Sequence, residues 1–132
     1  MPFVKILLDR TSLNAEQKQD LLQKVTNAMV AVEGEPLRQG IGVAITEVNS
    51  GEWVGSMPFT SITLIKAALS AIQRQTMLQN VTEAVVSVVG EDKRFGTWTV
   101  IEESVNDGEW SVGGKTLTID ALEQLKAGKN PW

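Results

Sequence analysis

The 132-residue chain contains no cysteine, no histidine and no tyrosine. Without cysteine there is no disulfide framework and no thiolate chemistry. Without histidine the chain lacks the commonest general base and the commonest metal ligand, so no metal is expected. The absence of tyrosine leaves acid–base work to carboxylates, lysines or the chain terminus. Positive charge is scarce too: 12 Lys and Arg stand against 16 Asp and Glu, a net charge of -4, with no basic stripe of the kind that tracks nucleic acid. The apolar run after Lys5 is far too short to span a membrane, and no secretory leader is expected before it. These absences predict one soluble, cytoplasmic domain over residues 1–132, with neither a nucleic-acid nor a membrane partner and with enough chain to bury its own core.

What the chain has is a second copy of itself. It opens "MPFVKILLDR", and at Met57 it reads "MPFTSITLIK". Sliding the sequence by 56 positions lays "VTNAMVAVEGEPLRQG" from Val25 on "VTEAVVSVVGEDKRFG" from Val81, with about half the residues identical, far above chance from average usage. After one inserted residue, "VNSGEW" from Val48 meets "VNDGEW" from Val105. Pro2 falls on Pro58, Arg10 on Lys66, Arg38 on Arg94, and Trp53 close to Trp110. The chain divides into a first repeat (1–56), a second repeat (57–117) and a C-terminal helix and tail (118–132).

Each repeat has the same readable elements. "PFVKILL" is short and rich in β-prone apolar residues, as a strand requires. Asn14 with Gln17, and Ser70 with Gln73, have the spacing of a helix-opening capping box. Leu21, Leu22, Val25, Ala28, Met29 and Val32 then recur at helical spacing, copied by Met77, Leu78, Val81, Ala84, Val85 and Val88. Gly34 and Gly90 stand where a helix stops with positive φ. "IGVAITEV" and "TWTVIEES" read as second strands. Two β-α-β units with right-handed crossovers and parallel strands follow, which is an α/β (α+β) fold: a four-stranded sheet with two helices on one face.

The other face needs cover. Phe3 and Leu7 point opposite to Val4, Ile6 and Leu8, so both sides of the first strand carry apolar groups. Self-association is one way to bury the helix-free side; the segment "TIDALEQLKAG", a short helix ending at Gly128, folding back over it is the other.

A Met-Pro start, a β-α-β unit of this length, "AEQKQDLLQKVTNAM" on the helix, "ITEV" on the second strand and a Gly-x-aromatic turn after it together resemble the tautomerase superfamily, whose prototype is 4-oxalocrotonate tautomerase. The likeness runs once through each half and ends near Gly114. It is similar in particular to fused members of that family, where two units share one polypeptide and three chains form a trimer imitating a hexamer. The resemblance implies a cofactor-independent isomerase that moves a proton on a small keto or enol acid, working as a homotrimer. Its base would be the N-terminal proline. Removal of Met1 would leave Pro2 with a secondary amine, which desolvation or a nearby arginine brings toward neutral pH. Pro58 has an amide nitrogen whatever happens at the terminus, so each chain is expected to hold one working and one silent site.

The resemblance also implies arginines for the substrate's carboxylates and developing enolate. Arg10 matches the one from the strand-to-helix loop. The second-strand position holds Gly42 and Trp98 instead, leaving Arg38 and Arg94, a few residues earlier, as substitutes or as solvated surface charges. Trp53 and Trp110 fall where the family has an aromatic that keeps the site apolar; plain packing is the competing role. Asp9, Glu47 and Glu103 are carboxylates available to activate water, or merely solvated strand-end acids. Two other functions stay open: a decarboxylase or hydratase using Pro2 as an acid, and a non-catalytic ferredoxin-like ligand-binding module, which needs no free proline.

Overall fold

The computed structural model describes residues 2–132; Met1, on whose removal a Pro2 amine depends, lies outside the described residues. The first repeat folds as β1 (Phe3–Asp9), α1 (Ala15–Glu33), a 3₁₀ turn (Glu35–Gly40) and β2 (Gly42–Val48). The second copies it as β3 (Phe59–Ile65), α2 (Ala71–Val89), a 3₁₀ turn (Glu91–Gly96) and β4 (Trp98–Val105). Both capping boxes form, Asn14 with Gln17 and Ser70 with Gln73. Both helices stop at glycines with φ of 100° and 111° and ψ near the extended value, a region that is essentially glycine's alone.

The sheet order is β2-β1-β3-β4, with parallel outer pairs and an antiparallel central pair. In that central pair Lys5 faces Ser61, its own counterpart 56 residues on, while Phe3 faces Thr63 and Leu7 faces Phe59. A pseudo-twofold axis therefore passes between Lys5 and Ser61. The residue inserted into the second repeat is a bulge: pairing is regular from Phe59–Trp98 to Thr63–Glu102, then shifts so that Ile65 meets Val105. Such an insertion adds local twist without disturbing the rest of the ladder.

Alternation along the strands sorts the two faces. Val4, Ile6, Leu8, Ile62 and Leu64 are buried against Leu21, Val25, Met29, Met77, Val81 and Val85 of α1 and α2. The opposite face keeps Phe3, Trp98 and Val100 at 37%, 57% and 36% exposure.

The C-terminal segment does not cover that open face. After a two-residue turn at Gly113 and Gly114, both with positive φ, joins β5 (Ser111–Val112) to β6 (Lys115–Thr116), α3 (Ile119–Lys126) runs past one end of the sheet. There Leu117, Ala121 and Leu122 bury themselves with Leu37 and Ile65.

Gly90 offers a direct test of the backbone argument. A Cβ at this position would sit 2.7 Å from Asp92 Oδ1, on a backbone with φ of +111°. Gly90→Ala is expected to lower the unfolding free energy by about 1–3 kcal/mol in urea titrations; an unchanged midpoint would contradict the reading.

Candidate active site

The pseudo-twofold axis creates two equivalent ends, each where one repeat's proline meets the other repeat's first strand. Continuing the β1–β3 register by one residue puts Pro58 beside Leu8 and Pro2 beside Leu64. Both prolines are buried, and their carbonyls accept from the first residue of the neighbouring second strand, Gly42 N to Pro2 O at 3.2 Å and Trp98 N to Pro58 O at 3.0 Å.

The Pro58 end is polar and open. A cavity of about 370 Å³ is lined by Leu8, Asp9, Thr11, Ser12, Trp53, Met57, Pro58, Val89 and Lys93. Asp9 organises its wall. The carboxylate accepts from Thr11 Oγ1 (2.6 Å) and Thr11 N (2.9 Å), from Ser50 Oγ (2.8 and 2.9 Å) and from Trp53 Nε1 (2.8 Å). These donors, the Thr11 hydroxyl first, hold its carboxyl far below the usual carboxylate range.

The Pro2 end is apolar and filled. Stepping each lining residue by one repeat gives Leu64, Ile65, Ala67, Ala68, Trp110, Pro2, Glu33 and Leu37 in place of Leu8, Asp9, Thr11, Ser12, Trp53, Pro58, Val89 and Lys93. Leu37, Ile65, Ala68 and Trp110 do pack as one cluster, and the tail's Leu117, Ala121 and Leu122 close it. Among the described residues one charged side chain is buried there. Glu33 is 3% exposed, and Lys126 of α3 reaches it, Nζ to Oε2, at 3.5 Å.

Sequence-predicted site residues are thus divided between the ends. Pro2 and Trp110 belong to one, Arg10 and Trp53 to the other, separated by the seven residues of β1. Arg10 donates its Nε to Asn49 Oδ1 at 2.6 Å. Arg38 is tied to Glu35 (2.6 Å) and Asn27 (2.8 Å) against the outer side of α1. Arg94 grips Glu83 (2.6 and 3.0 Å) and Glu91 (2.5 and 2.9 Å), and these carboxylates, Glu83 first, push its guanidinium still higher. Within one chain none of the three arginines stands among the residues around Pro2. Glu47 pairs with Lys18 at 2.7 Å and Glu103 with Arg74 at 3.3 Å, the same strand-to-helix bridge in both repeats. Among the described residues no group of three or more His, Cys, Asp or Glu is placed to hold a metal ion, and no helix is long and apolar enough to cross a membrane.

Glu33, Lys93 and Lys126 were not foreseen. Glu33 could have been: it stands four residues beyond Met29 on the apolar stripe, where the second repeat has Val89. Nothing local marks Lys126, whose position depends on where α3 docks.

The profile of the tautomerase enzymes matches residues 2–55, the first repeat. Probable tautomerase K2 of Dickeya dadantii (strain 3937) is 32% identical over 62 residues, 47% of this chain and 90% of that protein. The chain belongs to the tautomerase family. Solved tautomerase-superfamily structures share its fold across both repeats. A wild-type fused 4-OT, an asymmetric trimer, superposes with a TM-score of 0.75 at 20% identity, over 91% of this chain and 98% of that one. Native fused 4-OT gives 0.73 at 21% identity, over 92% and 98%. Malonate semialdehyde decarboxylase gives 0.67 at 20% identity, over 96% and 97%. The two-unit architecture is therefore common to all three.

Asp9 yields a test of the Pro58 end. A depressed carboxyl pKa stabilises the fold above the ordinary value of 3.8 and ceases to do so as pH falls through the depressed one. Asp9→Asn is expected to melt at lower temperature than wild type at pH 7, with the gap narrowing as pH is taken below about 3.8. A gap of constant size down to the lowest tolerated pH would show that the charge contributes nothing.

Proposed function

We propose that this protein is a cofactor-independent enzyme that transfers a proton on a small keto or enol acid through the nitrogen of Pro2. The observation that carries the reading is the burial of Pro2 at the head of a central strand, beside the other repeat. Removal of Met1 would turn that nitrogen from an amide into a secondary amine. Burial then disfavours the ammonium and brings the amine toward a pKa useful at neutral pH. The neutral amine takes a proton from the carbon or enol oxygen of the substrate, and the resulting ammonium delivers it elsewhere along the conjugated system. Trp110 contributes to the apolar wall. Pro58, an amide in every state of the chain, holds no basic lone pair and cannot serve as a second base.

A homotrimer would supply what one chain lacks. The helix-free sheet face with Phe3, Trp98 and Val100 is the surface such an assembly would bury, and fused 4-OT relatives are trimers. Arg10, Arg38 and Arg94 would reach the substrate of a Pro2 site only across a chain boundary. Of these, Arg38 and Arg94 are held by their own carboxylates, which leaves Arg10 as the candidate for binding the substrate's carboxylate and enolate. Trp53 would accompany it.

A second reading, in which a protonated Pro2 acts as the acid in a decarboxylation or hydration, is favoured by one observation. No guanidinium of the same chain stands near Pro2 to discourage its cationic form.

Turnover of phenylpyruvate and 2-hydroxymuconate by native, untagged protein tests the first reading. Pro2→Ala is expected to lose at least about 100-fold in rate, while Pro58→Ala stays within a few-fold. Equal activity of Pro2→Ala, or turnover by protein whose intact mass retains Met1, would refute it. Carbon dioxide release from a 3-oxo acid, again dependent on Pro2, would favour the second.

The assembly has its own test. Light scattering should give the mass of three chains, and Trp98→Glu, which buries a charge in the proposed contact, should shift it toward one. A monomeric wild type would remove the basis for sharing Arg10 between chains.

A further inference from the structure

The buried Glu33 is a group that the proton-transfer scheme leaves without a task. Its side chain is 2% exposed, and its Oε2 has no hydrogen-bond partner among the described residues. The nearest cation, Lys126 Nζ, is at 3.5 Å, beyond ordinary N–H···O length, and is shared with Glu123 at 3.9 Å. A carboxylate this deeply buried needs donors, because an unpartnered charge in a closed site is costly. The pseudo-twofold axis says what lies beside it: Val89, its counterpart, lines the same cavity as Met57 and Pro58, with the nitrogen that joins them. The same symmetry places Glu33 on the side of the nitrogen of Pro2.

We propose that Glu33 is the counter-ion of the Pro2 secondary ammonium, accepting one of the two N–H bonds that this nitrogen gains when Met1 is removed. The inference rests on the reading of Pro2 as the mature terminus. It makes Glu33 a residue that touches the reacting atom. As an anion beside the amine it favours the protonated form, opposing the desolvation that favours the neutral one. The charged groups on the segments next to the pair are the following. Lys126 and Glu123 come from α3. Glu35 and Arg38, on the turn after α1, are bonded to each other, with Arg38 also held by Asn27. Lys66 stands at the end of β3 where the repeat places the counterpart of Arg10.

The experiment is a pH titration of the Pro2 nitrogen by NMR in full-length protein labelled with [15N]proline, with intact mass measured on the same sample. In Glu33→Gln the pKa of the amine should fall by about one to three pH units, the range of a lost opposite charge. In Lys126→Met, which removes the cation beside Glu33, it should rise. The second variant keeps Glu33, so the idea stays testable if Glu33→Gln does not fold. A titrating Pro2 amine whose pKa ignores both substitutions in folded protein overturns the counter-ion and leaves the Pro2 reading standing. A sample that retains Met1 and shows no titrating proline nitrogen overturns that reading and this one with it.

Discussion

The antiparallel pairing of β1 with β3 about Lys5 and Ser61 governs everything that happens at the two prolines. Had the units paired in parallel, each proline would lie beside its own counterpart. Because they pair head to tail, each lies beside the far end of the other unit's strand, next to that unit's strand-to-helix loop. A residue at the strand-to-helix end of one repeat thus lies at the proline of the other. The first repeat owns the nitrogen that processing can free, but the second repeat and the tail build most of the walls around it.

That exchange lets two ends with one backbone plan diverge in chemistry. Around Pro58 the first repeat contributes Asp9, Thr11, Ser12 and Trp53, and α2 adds Val89 and Lys93. Around Pro2 the counterparts are Ile65, Ala67, Ala68, Trp110, Glu33 and Leu37. Hydroxyls have become methyls, a carboxylate has become isoleucine and a lysine has become leucine. The apolar lining gives the tail something to bind. Burying a leucine such as Leu117 or Leu122 contributes about 1.5–3 kcal/mol relative to exposure, enough to hold α3 against that end while the polar Pro58 end offers it nothing comparable. α3 is thereby held against Leu37 and Ile65, and it brings Lys126 to Glu33.

Much of this was legible beforehand, because the signals were local and occurred twice. Asn14 and Ser70 cap helices as their spacing with Gln17 and Gln73 required, Gly34 and Gly90 end them, and the apolar stripes from Leu21 and Met77 face the sheet. The inserted residue was visible as a slip between repeats, although its identity as a β4 bulge needed the partner strand. The neighbours of Pro2 were not legible. They are decided by a strand pairing between residues about sixty positions apart, and no periodicity encodes its direction. Arg10 looked like a companion of Pro2 because both sit in the first repeat, yet β1 carries it to the opposite end. Docking of α3 depends on a surface made jointly by Leu37 and Ile65, one from each repeat, so no window of sequence could display it.

If Pro2 is the proposed base, its strength would turn on two opposed forces whose sizes can be compared. Full burial shifts an amine's pKa downward by up to about 3–5 pH units, and a single opposite charge at contact distance returns about one to three of them. An ordinary α-amine near 8, buried alone, would fall so low that it could not hold a proton long enough to return it to a substrate. With Glu33 as its proposed counter-ion, it would be brought back toward neutrality. Lys126, 3.5 Å from the same carboxylate, would weaken that return, so α3 would trim the strength of the base. On that reading an amine in an apolar surrounding needs a carboxylate, whereas Val89, which lines a cavity with the amide nitrogen of Pro58, has no charge to balance.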